Sequence, residues 1–266
     1  VTFSNTKSKC ITFHCSKLGR GTSTAQSSFT IGGKSIENVD RWPHLGHIFN
    51  AQLTDDDDIT ARRNSFIGQA NSFFCNFSML DVQTKNTLFK VYCSSHYGSE
   101  LWNLTSNIIE DYCIAWRKSL RKIWSLPYDS NRFNVASTSN TVPLFDEICR
   151  RAINFIYSCL NCVSDFIRSI VLHGVNVARI NSPIGRSAAF CSLRYNNCIN
   201  NLCDTKLSSS VCFARFKSEL SPNLLAHANV LREAILIKDG VLGLSLDSSG
   251  NLNIDELNCI IETLAA

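Results

Sequence analysis

The chain has 266 residues, 44% of them hydrophobic and 18% charged, a balance that buries a substantial core in one or two domains and excludes intrinsic disorder. Its 26 Lys+Arg against 22 Asp+Glu leave +4 at pH 7, too small a surplus to mark a nucleic-acid binder by bulk charge. No apolar run approaches the roughly 18 residues that would span a bilayer.

Residues 1–50 read as β-structure. Lys9 to His14 and Ser28 to Ile31 form two strand candidates joined across Gly19 and Gly21, and Arg41 to Phe49 reads as a third. Pro43 confines that third strand to an edge or a start, and a small antiparallel sheet is expected. From Asp55 the apolar period changes to about 3.6 residues, with Ile59, Phe66, Ala70 and Phe73 on one face of a long helix. Asp81 reads as the N-cap of a second helix running to Gly98. Ser106 to Leu126 is a third, its apolar stripe carried by Ile109, Cys113, Trp116, Leu120 and Ile123. Pro143 opens a fourth, with Ile148, Ala152, Phe155, Ile156 and Cys159. Residues 164–266 read as helical with breaks at Pro183, Pro222 and Asp239-Gly240, and a last short helix spans Ile254 to Leu264. The expected fold is mainly α, in three parts: a β-segment over 1–50, a helical bundle over 51–163 and a helical extension over 164–266.

The run Asp55-Asp56-Asp57-Asp58 invites a metal reading, because paired carboxylates hold two Mg²⁺ ions in polymerases and nucleases. It directly precedes an amphipathic helix, however, where carboxylates cap free amides and face the positive end of the helix dipole. Four consecutive residues also point in different directions, so capping is the better account. On the third helix Arg117, Lys118, Arg121 and Lys122 fall within one sector at about 100° per residue. From Tyr112 to Arg151 there are seven Lys/Arg against three acids, a local surplus equal to that of the whole chain. Charge alone leaves two readings open: a solvated face favoured by the helix C-terminus, or a track for phosphates.

Thirteen cysteines suggest a disulfide framework, but the number is odd, the chain is long, and no hydrophobic signal segment precedes them. Reduced thiols in a nuclear or cytoplasmic protein are expected. Cys159 and Cys162 have half the spacing of a zinc site, with Cys198 and Cys203 a loose second half; packing as small hydrophobes in the core accounts for them better. His44 and His47 flank a Leu-Gly turn and suit strand ends better than ligation. Ser245 to Glu256 imitates a calcium loop, with Ser where the leading Asp belongs, and reads as a plain loop. No metal site is expected in the chain.

Taken in order, these segments resemble reverse transcriptases of non-LTR (LINE, jockey-like) retrotransposons. Phe3-Ser4-Asn5-Thr6-Lys7-Ser8-Lys9-Cys10-Ile11-Thr12-Phe13 resembles the palm segment that follows the catalytic aspartates, and His44-Leu45-Gly46-His47-Ile48 resembles the primer-grip segment, with His44 in place of the usual aromatic. The Asp-rich helix start follows, then Arg62-Arg63 and Gln69-Ala70-Asn71. Leu88-Phe89-Lys90, Tyr97-Gly98 with Leu101-Trp102, and Ala115-Trp116-Arg117-Lys118 through Leu126-Pro127 complete the likeness. It is strong from Val1 to about Cys162 and thins afterwards, where Ser182-Pro183-Ile184-Gly185-Arg186 still resembles the end of such a reading frame.

The resemblance implies the C-terminal part of an RNA-directed DNA polymerase, with distal palm, thumb and C-terminal extension. Its partners would be an RNA/DNA template-primer duplex and the upstream fingers and palm of the same polyprotein. Val1 opens in mid-pattern without Met, and the catalytic aspartates are expected upstream of residue 1, so this chain alone would be inactive. Mg²⁺ is the cofactor of the complete polymerase and none is expected in this chain. Lys7 matches the palm lysine that assists pyrophosphate departure. His44, Leu45, Gly46 and His47 match the primer grip, where Gly46 has no Cβ to obstruct close approach. Arg62, Arg63, Arg117, Lys118, Arg121 and Lys122 would hold duplex phosphates without reading bases. The alternative is a non-catalytic helical interaction module or a decayed remnant of such an element.

Overall fold

The computed structural model describes residues 8–13, 28–177, 181–195, 205–240 and 254–265. These residues are mainly helical, with ten α-helices and six short strands among them. They fall into two compact units, residues 1–62 and 63–266, and the division lies inside the first helix.

In the first unit β1 (Lys9–Cys10) pairs in parallel with β4 (Glu37–Asn38), while β2 (Thr30–Ile31) and β3 (Lys34–Ser35) pair antiparallel across Gly32-Gly33. Then β5 (Arg41–His44) pairs antiparallel with β6 (His47–Asn50). The expected single antiparallel sheet is therefore three two-stranded ladders, one of them parallel. The strand expected over Lys9 to His14 shortens to two residues. The strand expected over Arg41 to Phe49 folds back on itself, because Leu45 and Gly46 both have positive φ, 50° and 78°, the backbone signature of a two-residue type I′ turn. Pro43 faces Ile48 in a ladder of only two strands, where its missing amide costs little. The first helix, α1 (Asp56–Asn76), opens with three carboxylates in its first turn, and Ile59 donates its amide to the Asp55 carbonyl at 2.9 Å.

The second unit holds the rest of α1 and nine further helices among its described residues. These are α2 (Val82–Tyr92), α3 (Ile108–Ile123), α4 (Arg132–Thr138), α5 (Leu144–Leu160), α6 (Asp165–Asn176), α7 (Pro183–Tyr195), α8 (Ser209–Ser218), α9 (Pro222–Lys238) and α10 (Ile254–Ala265). Asp81 caps α2 as expected, its Oδ1 accepting the Thr84 amide at 2.9 Å. The Asp239 carboxylate, from the C-cap of α9, accepts the Val82 amide as well. That helix stops at Tyr92 rather than Gly98: Gly98 takes a left-handed conformation (φ 84°) and leads into a single 3-10 turn over Ser99–Leu101. The apolar periodicity gives no sign of α4, which is short and starts on a side-chain cap, Asn131 Oδ1 accepting the Phe133 amide at 2.9 Å. Pro183 and Pro222 open helices instead of breaking them, since the first helical position needs no amide donor. Gly240, with φ 71°, ends α9 as a glycine past a C-cap does.

One core forms around α3. Ile109, Cys113, Trp116, Leu120 and Ile123 are all buried, so the expected apolar stripe does dock inward. Trp124 donates its indole N–H to Asn86 Oδ1 at 3.4 Å, and Asn86 in turn donates to the Ser139 carbonyl at 3.1 Å, joining α2 and the ends of α3 and α4 through satisfied polar groups. His96, 3% exposed, places Nδ1 2.8 Å from the Tyr112 hydroxyl. Burial, and the Arg151 guanidinium beside it, lower its pKa to about 4.

A second assembly centres on Asp146, in the first turn of α5 and 1% exposed. Tyr195 donates its hydroxyl to Asp146 Oδ1 at 2.5 Å, Arg194 donates Nε at 3.0 Å, and the Arg215 guanidinium stands 3.8 Å away. Those partners belong to α7 and α8, so α5 collects both later helices onto one carboxylate. Cys149, Cys191 and Cys212, all without exposure, fill the same place, and burial holds the Cys212 thiol up at about 12. Nearby, the Asn154 amide pairs with the Leu207 backbone in both directions, at 2.8 and 3.1 Å. Helices α6, α7 and α8 thus pack on α5, and α4 and α10 lie against α9. Among the described residues the ten cysteines are free thiols. No helix among them is long and apolar enough to cross a membrane.

Two predictions follow from these buried groups. Asp146→Ala leaves the Arg194 guanidinium and the Tyr195 hydroxyl without their acceptor and should cost about 3–5 kcal/mol, read as a urea midpoint; a loss below about 1 kcal/mol, the size of an exposed pair, would contradict the arrangement. His96 must shed its proton to fold, so its contribution is complete above the unfolded value of about 6.5 and is lost as pH falls toward 4. Stability should therefore drop by about 2 kcal/mol between pH 7 and pH 5 from this group, a drop that is much reduced in His96→Gln.

Candidate nucleic-acid interface

The residues with a predicted role in nucleic-acid binding divide between the two units. In the first, His44 and His47 close the β5–β6 ladder as a facing pair, and between them Leu45, 80% exposed, and Gly46 form the tip. The two histidines then part. His44 is exposed, with its ring 6.3 Å from that of Phe49. His47 is buried against the start of α1, its Nδ1 3.1 Å from Asp58 Oδ2 and its Nε2 3.7 Å from Asp55 Oδ1. Asp55 and then Asp58 raise its pKa to about 9, against the lowering effect of burial.

The acidic run does more than face the helix dipole. Asp58, 1% exposed, also accepts the Ile48 amide at 3.0 Å, and Arg62 Nε lies 4.0 Å from it. Asp57 accepts from Asn50 Nδ2 at 3.0 Å and lies 3.7 Å from Arg41. Arg62 also donates to the Gly46 carbonyl. The carboxylates therefore clamp the hairpin to the helix: Asp55 and Asp58 share His47 from its two ring nitrogens, and Asp57 holds Asn50 and Arg41. Among the described residues no group of three or more His, Cys, Asp or Glu is placed to hold a metal ion.

In the second unit the basic sector of α3 splits along its length. Arg117 is ion-paired with Glu110 at 2.6 Å. Arg121 donates to the Ser130 carbonyl at 2.6 Å, holding the turn that follows α3. These two are one helical turn apart on one flank, and both are partly buried. Lys118 and Lys122, about 100° further round, are exposed. They line a groove of about 230 Å³ between α1 and α3, together with Arg63, Asn71 and Phe74. Lys122 Nζ sits 4.3 Å over the Phe74 ring and Lys118 Nζ 5.7 Å over that of Tyr128, geometry in which an aromatic face supports a cation. Among the described residues no Asp or Glu lines this groove. Arg63, whose place on α1 the sequence put with Arg62, is the third cation facing the two lysines, a juxtaposition that no spacing within one helix could show.

Lys7 lies outside the described residues, as do Cys198, Cys203 and most of the calcium-like loop. Cys159 and Cys162 are half-buried at and just past the end of α5, rather than in the core as expected; the helix ends at Leu160 before the apolar pattern can carry Cys162 inward.

Because its folded pKa is raised, His47 stabilises the hairpin fully below about 6.5, and that stabilisation is lost as pH rises through about 9. The imidazole should titrate near pH 9 by NMR and fall toward 6.5 in Asp58→Asn; an unshifted midpoint in the native chain would remove the clamp from the description. Compared with known protein families, curated proteins and solved structures, the chain has no match in any of the three.

Proposed function

We propose that the chain is the C-terminal part of a non-LTR retrotransposon reverse transcriptase and that its helical unit binds the RNA template/DNA primer duplex through backbone phosphates. The observation that carries this reading is the α1–α3 groove, where Arg63, Lys118 and Lys122 line one surface without a carboxylate among them. Three cations lining one groove suit contact with phosphates, the kind of contact by which an A-form heteroduplex is held by shape. In this reading the hairpin tip, Leu45-Gly46 with exposed His44, meets the primer end, and Lys7 acts in the palm. The upstream fingers and palm supply the catalytic aspartates that bind Mg²⁺, so the 266 residues alone do not extend a primer.

A second reading has its own support. Val163, Phe166, Ile167 and Ile170 are exposed at 100, 74, 43 and 51%, spaced by three and four along α6 and the residue before its cap. Such a stripe is what a helical interaction module presents.

A salt titration of heteroduplex binding separates the two. Affinity should fall steeply with salt, and the double reversal Lys118→Glu with Lys122→Glu should flatten the logarithmic slope by about two, roughly one per lost phosphate contact. The loss should be equal across sequences. Arg121→Ala should lower thermal stability instead, since its guanidinium holds the Ser130 turn. No salt-dependent binding would favour the interaction module.

A further inference from the structure

A cavity of about 380 Å³ opens among α3, α4, α5, α7 and α8, on residues that the α1–α3 groove does not share. We infer that it is a binding site for a small planar aromatic monoanion, with Arg132 as the group that selects the negative charge. Its walls are aromatic and come from four helices: Trp116 from α3, Phe133 from α4, Phe145 from α5 and Phe216 from α8. The Phe133 and Phe216 rings are stacked, with centroids 6.3 Å apart and planes inclined by 27°. Flat apolar faces with a few charged groups at their edge describe a site for a ring-shaped ligand.

Charge accounting then selects the ligand's sign and size. Among the cations lining the cavity, Arg194 is held by Asp146 at 2.9 Å and Arg117 by Glu110 at 2.6 Å. The lining acid Glu219 is paired with Arg215 at 2.6 Å. What remains is Arg132, which is exposed, carries its guanidinium 4.9 Å from the Phe133 ring centroid, and has no carboxylate within ion-pair distance among the described residues. One unbalanced guanidinium beside an aromatic wall suits a carboxylate or sulfonate joined to a ring. Glu110 and Glu219, 53% and 39% exposed in their side chains, line the same space and disfavour a doubly charged group. The volume has room for roughly a dozen water-sized atoms at about 30 Å³ each, which is a two-ring ligand with one substituent. This site is independent of duplex binding, and neither reading depends on the other.

The test uses the full chain with 2-naphthoate as probe and the neutral 2-naphthylmethanol as its isostere, followed by titration calorimetry and by NMR of the aromatic protons. Expected are one bound naphthoate per chain, at least tenfold weaker binding of the alcohol, and loss of that preference in Arg132→Ala with no change in melting temperature. Ala136→Phe, which projects a ring from the cavity wall, should abolish binding of both probes; if it does not fold, Phe133→Ala, weakening both equally, serves in its place. Absence of binding at millimolar probe, equal affinity for the acid and the alcohol, or an unchanged preference in Arg132→Ala would each overturn the proposal.

Discussion

The second unit is organised by the need to satisfy one buried carboxylate. An ionised group at 1% exposure is tolerable only with charge partners and hydrogen bonds in place, since removing it from water costs several kcal/mol. Asp146 obtains some relief from its own helix, where the first turn of α5 offers the positive end of the dipole. The rest comes from Arg194, Tyr195 and Arg215, and the reach of those side chains sets where α7 and α8 lie. The three thiols around the carboxylate contribute shape: the hydrogen bond to Cys149 and burial hold the Cys191 thiol up, burial does the same for Cys212, and a buried thiol packs as a small hydrophobe. A single charge in the first turn of α5 in this way ties two later helices, α7 and α8, to it.

What could be read from the sequence follows the range of the interactions concerned. The helices α1, α3 and α5 were legible because their apolar stripes repeat within a few residues, and the caps at Asp81 and Pro143 because capping is local. The hairpin over Arg41–Asn50 was legible only in part: a Leu-Gly turn was visible, but Leu is a poor residue for positive φ, so the stretch also read as one strand. The short α4 depends on its Asn131 cap and on packing against α9, neither of which leaves a periodic trace. Asp146 had a faint signal, an acid among apolar residues near a helix start, yet its partners lie 48 to 69 positions further on in the sequence. The clamp formed by Asp55, Asp57 and Asp58 was hidden for a related reason, because the same residues satisfy a capping explanation without any tertiary partner.

The basic sector of α3 illustrates how a helical wheel can be correct about angle and still incomplete about chemistry. All four cations lie where the wheel puts them. Two of them are consumed locally, Arg117 by a carboxylate and Arg121 by a carbonyl, and the remaining two combine with a residue from a different helix. The surplus that matters is thus neither the chain's +4 nor the count on α3, but the charge left over after internal pairing. The same subtraction, applied to the aromatic cavity, leaves Arg132.

Leu45 shows which end of the hairpin holds its shape. It holds a left-handed backbone, which costs a residue with a Cβ about 1–2 kcal/mol, and at 80% exposure it recovers almost nothing by burial. Such a tip does not stabilise its hairpin as one built on Asn-Gly would. Its shape is imposed from the base, by the His47 and Ile48 contacts with Asp58 and by Arg62 reaching the Gly46 carbonyl, and both Asp58 and Arg62 belong to α1. The strand pair is therefore held by the helix that follows it in the chain, and its exposed tip adds strain rather than support.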